Sequence, residues 1–72
     1  MNVAKLPQRL EVFGTSPEVL RERLSAAEAA IRQSVMENRK AGVLVTRYDF
    51  QRFTVEASDA VPFGETRELS VF

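Results

Sequence analysis

Cysteine and histidine are both missing from this 72-residue chain. The first absence removes disulfides, thiolate metal sites and the cysteine nucleophile together. The second removes the commonest metal ligand and the only side chain whose unperturbed pKa lies near neutrality. Glycine is scarce, and Gly14, Gly42 and Gly64 stand too far apart to form a phosphate-cradling loop. Long apolar runs are absent as well. Met1 to Pro7 carries a lone Lys5 with no apolar stretch behind it, so neither a secretory signal nor a membrane span is expected. A cytoplasmic protein is the expectation, although residence inside a virus particle would leave the same composition.

Without cysteine or histidine, catalysis has only carboxylates, lysine, tyrosine and hydroxyls to draw on. Glu56 with Asp59, or Glu65 with Glu68, would be the carboxylate pairs, but acids on strand faces and in loops are ordinarily solvated charges. Glu56, Asp59 and Glu65 lack the alternating spacing of a calcium loop. The chain is therefore expected to be non-enzymatic, with no catalytic residue, no metal and no cofactor.

At this length a chain buries only about 60% of its unfolded surface. One domain spanning residues 1–72 is expected, with residues 1–8 as a flexible arm. A core of that size leaves little surplus over the entropy of ordering the chain. Disulfide and metal staples are missing, so self-association is the remaining stabiliser and a homo-oligomer is expected.

Ten basic residues balance ten acidic ones, leaving no overall field to draw the molecule to nucleic acid or anionic lipid. The charges are nonetheless segregated. Arg39, Lys40, Arg47 and Arg52 face a single Asp49 between positions 39 and 52, whereas Glu56, Asp59, Glu65 and Glu68 outnumber Arg67 from position 56 onward.

The clearest element is a helix. In Thr15-Ser16-Pro17-Glu18 a capping hydroxyl precedes a proline at the first helical position, with an acid in the first turn. Leu20, Leu24, Ala27, Ile31 and Val35 then follow at spacings of three and four, which lays them along one apolar stripe. Glu18, Glu22, Ser25, Arg32 and Lys40 lie toward the other side, so the helix reads as amphipathic. Gly42 is positioned to terminate it, which predicts an end near Lys40 or Ala41.

Beyond Gly42 the pattern changes to strands. Gly42–Tyr48 and Arg52–Ser58 flank Asp49-Phe50-Gln51 and read as a hairpin. Phe53, Val55 and Ala57 alternate with Thr54, Glu56 and Ser58, giving one buried and one wet face. A three-residue loop pairs Val45 with Val55 and buries Val43; a four-residue loop buries Leu44 and Tyr48 instead. The three-residue loop is preferred, although no glycine marks it. Val61-Pro62-Phe63-Gly64 is turn chemistry, and Thr66–Phe72 reads as a further strand with Leu69 and Val71 on its buried face. Arg9–Phe13 alternates similarly before the helix. The fold class predicted is α+β, with one long amphipathic helix packed on a small antiparallel sheet made of the hairpin and one or two further strands.

Two surfaces emerge as binding candidates. Val19, Ala26 and Ala30 widen the helix stripe with small side chains that permit close approach. A helix of about 24 residues spans roughly 36 Å, more than the roughly 24 Å of a seven-residue strand, so its surplus must meet something. Met36 on the polar side and Phe50 at the hairpin tip join this set. The second surface comprises Arg39, Lys40, Arg47, Tyr48 and Arg52, where basic groups interleave with an aromatic, a combination that can hold nucleic acid. Glu37, Asp49 and Glu56 dilute it, and a nucleic-acid module normally carries a pronounced basic excess. The leading expectation is thus a protein-interaction module that binds itself or another protein. A nucleic-acid regulator using the hairpin is the alternative. In size and lack of chemistry the chain looks like the small proteins of bacterial and phage genomes that act by binding.

Overall fold

A computed structural model of the chain describes residues 8–37 and 39–71. The order is β1 (Arg9–Phe13), α1 (Pro17–Val35), β2 (Gly42–Arg47), β3 (Arg52–Ser58) and β4 (Thr66–Ser70). The four strands form one sheet in the order β1-β3-β2-β4. The fold is α+β.

The helix begins as its sequence dictates. Ser16 holds extended backbone angles and its Oγ accepts a hydrogen bond from the Val19 amide at 3.3 Å, while Pro17 occupies the first turn, where an amide hydrogen has no helical partner. Ala27, Ile31, Ser34 and Val35 are buried, and Leu20 and Leu24 are partly so. Beneath them lie Val12 and Leu10 of β1, Phe53, Val55 and Ala57 of β3, and Val43 and Val45 of β2. Fully burying an aliphatic side chain such as Ile31 or Val55 contributes about 1.5–3 kcal/mol.

The helix ends earlier than predicted. Met36 is its C-cap, and the left-handed residue that turns the chain is Arg39, with φ 54° and its amide donating to the Val35 carbonyl at 2.8 Å. Gly42 is the first residue of β2 instead of a helix terminator. The 19-residue helix therefore spans about 28 Å against about 23 Å for the seven residues of β3, and most of the expected overhang disappears.

The hairpin takes the three-residue-loop register, with Val45 opposite Val55 and Thr46 opposite Thr54. Asp49 does the work of the missing glycine. Its Oδ1 accepts from the amides of Gln51 at 2.7 Å and Arg52 at 2.8 Å, closing the turn from a side chain. These bonds, that from Gln51 foremost, hold the Asp49 carboxyl below its usual range.

The sheet is mixed where a purely antiparallel one is predicted. β1 and β2 each run antiparallel to β3, but β4 lies on the far side of β2 and runs parallel to it. Residues 59–65 carry the chain around the start of β2, where Gly42 N donates to Val61 O at 2.6 Å and Val43 N to Glu65 O at 3.0 Å. The turn chemistry within this loop is as read: Glu65 N returns to Pro62 O at 3.1 Å, and Gly64 sits at φ 90°. Of the arm expected at residues 1–8, positions 1–7 lie outside the described residues. Gln8 is anchored, its Nε2 donating to Ser34 Oγ at 2.7 Å and its carbonyl accepting from Ala57 N at 2.9 Å.

Candidate interaction surface

Because side chains alternate along a strand, the register sorts the sheet into two faces. The residues under the helix were given above. The opposite face carries Arg9, Glu11 and Phe13 from β1, Arg52, Thr54 and Glu56 from β3, and Leu44, Thr46 and Tyr48 from β2 and its end. Arg67, Leu69 and Val71 come from β4 and its end. Among the described residues no helix or second sheet covers it.

This face has a polar centre and an apolar margin. Thr46 and Thr54 stand directly opposite one another and are buried, with the Tyr48 hydroxyl 3.4 Å from Thr54 Oγ1. Around them Phe13, Tyr48, Leu69 and Val71 remain exposed; Leu69 and Val71 keep 50% and 53% of their surface. The alternation predicted for β4 is real, but it aims Leu69 and Val71 at the uncovered side and every residue of the strand is exposed. Arg9, Glu11, Phe13, Tyr48, Arg52 and Thr54 border a depression of about 540 Å³. Both charge signs are present: Arg9 lies opposite Glu56 in register, and Arg52 is 3.5 Å from Asp49.

The residues singled out on the helix side do not form one patch. Val19 and Ala26 are exposed and Ala30 is half-buried along the helix flank. Met36 lies at the helix C-terminus beside Gly42 and Phe63, whereas Phe50 stands near the helix N-terminus, facing a groove bordered by Gly14, Pro17, Leu20 and Leu24. The length of the helix separates them. Phe50 is 73% exposed yet packed beneath Arg47, whose guanidinium carbon lies 5.1 Å from its ring centroid and 5.8 Å from that of Phe53.

The basic set is divided as well. Arg47 shares the helix-facing side with Val43 and Val45, whereas Tyr48 and Arg52 belong to the opposite face. Arg39 and Lys40 precede the start of β2 and Arg47 ends it, about 16–20 Å along the strand. Among the described residues, the ion pairs Arg52–Asp49 and Arg67–Glu65 each join neighbours within one charged segment. No three acids among the described residues gather in a metal-binding group, and no helix among them is long and apolar enough to cross a membrane.

The residues that sequence reasoning missed are Phe13, Leu69 and Val71. Phe13 was findable, since it falls out of phase with Leu10 and Val12, which face the helix. For Leu69 and Val71 the sequence holds a period but no sign of which face goes uncovered. No protein-family model matches this chain, and neither does any curated protein or solved structure compared with it.

Proposed function

We infer that this chain is a non-enzymatic protein-interaction module that associates with itself through the side of its sheet not packed by the helix. The observation that carries this reading is the group Phe13, Tyr48, Leu69 and Val71, all substantially exposed on one face of a two-layer fold. Apolar side chains gathered on one uncovered face mark contact surfaces more often than singly exposed ones do. The mixed charge of that face suits a second copy of itself, because a surface holding Arg9, Arg52 and Arg67 beside Glu11 and Glu56 can meet its own opposite signs. The helix flank at Val19, Ala26 and Ala30 is a secondary contact, with less surplus length to offer than the sequence suggests.

The nucleic-acid reading gains nothing from the arrangement of the basic side chains, since Arg47 and Arg52 lie on opposite faces of the hairpin. Sedimentation equilibrium of the full chain across low to high micromolar concentration is the test. A mass rising from monomer to dimer is expected, and a monomer throughout removes the self-association.

A further inference from the structure

Among the described residues β4 is an edge strand whose outer side pairs with no other strand. β4 bonds to β2 through Glu65, Arg67, Leu69 and Val71: Glu65 O accepts from Val43 N, and Val71 N donates to Arg47 O at 3.0 Å. In a parallel ladder the intervening residues turn their amides and carbonyls the other way. Thr66, Glu68 and Ser70 therefore present theirs along the outer edge. The opposite edge of the sheet is partly closed, because Arg23 NH1 donates to the outward carbonyl of Phe13 at 2.6 Å. Unpaired edge groups are a template for a further strand.

We propose that β4 pairs antiparallel with β4 of a second copy, with Leu69 on the two-fold axis, joining two four-stranded sheets into one. This rests on the self-association reading above and places the contact at the β4 edge that borders the open face. Charge selects the register. A continuous sheet must keep side chains of matching parity opposite one another, so a two-fold axis near the middle of the strand passes through Arg67, Glu68 or Leu69. The first choice sets Arg67 against Arg67 and the second Glu68 against Glu68, and like charges directly opposite are destabilising. The third sets Leu69 against Leu69, Glu68 against Ser70 and Arg67 against Val71. It forms about four backbone hydrogen bonds between Glu68 and Ser70 of the two copies. It also sets Leu69 beside its symmetry mate, while both helices stay on the same side of the joined sheet and Phe13 and Tyr48 remain on its open face.

The absence of native cysteine makes the test direct. In this register Leu69 and its symmetry mate form a non-hydrogen-bonded pair with Cα atoms about 4.5 Å apart, within disulfide reach, whereas the two Arg67 residues stand roughly 13 Å apart. Leu69→Cys should oxidise to a covalent dimer at least tenfold faster than Arg67→Cys, with unchanged circular dichroism. Glu68→Pro, which removes only an outward amide hydrogen, should raise the dimer dissociation constant at least tenfold. Equal cross-linking of the two cysteine variants, or a wild-type dimer that survives Glu68→Pro, overturns the β4 edge and leaves self-association standing. A wild-type chain that is monomeric at high micromolar concentration overturns both.

Discussion

Gly42 lies against the carbonyl of Pro62, in the loop that carries the chain from β3 to β4. A Cβ at this position would collide with that oxygen, standing also 2.5 Å from Val61 Cγ1 and 2.8 Å from Glu65 O. Two of these three are backbone atoms held by the hydrogen bonds of Gly42 and Val43 to the same loop, so they cannot swing aside. Gly42→Ala is expected to destabilise the protein by about 1–3 kcal/mol, the usual cost of overpacking. Urea denaturation at fixed protein concentration measures it, and an unchanged midpoint would mean that the loop does not cross there.

The core makes a second prediction by contrast. Ile31 is fully enclosed between the helix and the sheet, whereas Val19 on the same helix is exposed. Ile31→Val should cost about 0.5–1.5 kcal/mol and Ile31→Ala about 2–5 kcal/mol. A chain of this size has a total stability of about 4–11 kcal/mol, so the alanine variant loses a large share of it. Val19→Ala should stay within about 0.5 kcal/mol of wild type in the monomer. Equal losses at the two positions would contradict the packing described.

The turn of the hairpin gives a pH dependence. Asp49 is held below its ordinary value by the amide of Gln51 foremost, with Arg52 contributing through its amide and guanidinium. A carboxyl depressed in the folded state contributes stability that is present above its unfolded value and lost as pH falls through the folded one. The thermal midpoint should therefore drop on acidification below about pH 4. Asp49→Asn keeps an oxygen acceptor but loses the charge, and should remove its share of that drop. An acid limb identical in the two proteins would exclude the role.

Arg47 and Phe50 supply a measurable coupling. The guanidinium lies over the ring of Phe50 and near that of Phe53, within the range of a cation–π contact. A double-mutant cycle of Arg47→Met and Phe50→Leu should return a coupling energy of about 0.5–1 kcal/mol at this exposed end of the sheet. A coupling of zero would leave Phe50 as a surface side chain with no part in holding the hairpin tip.

Much of this architecture is legible in the chain itself. Ser16 and Pro17 locate the helix start through local chemistry, since the cap and the missing proline donor act within one turn. The alternation of Phe53, Val55 and Ala57 identifies their strand and its buried side, and pairing Val45 with Val55 is preferred because a one-residue slip would bury Leu44 and Tyr48 in place of Val43 and Val45. The helix ends earlier than the position of Gly42 predicts because that residue has two physical uses. Glycine relieves a left-handed backbone or a close approach, and a sequence cannot say which; here Arg39 takes the left-handed conformation and Gly42 makes room for the crossing loop.

The partnership of β4 was beyond the sequence for a related reason. Periodicity is a property of one strand, and it reports that Leu69 and Val71 share a side without reporting what lies on that side. Strand order depends on how residues 59–65 route around β2, a contact between segments about twenty residues apart. The composition by itself decided that this chain has no thiol or imidazole chemistry, and its local patterns pointed to one helix, a hairpin and one or two further strands. Only the tertiary structure decided that β4 runs parallel to β2 with its outer edge unpaired among the described residues, because that outcome is a choice among non-local pairings of similar local cost.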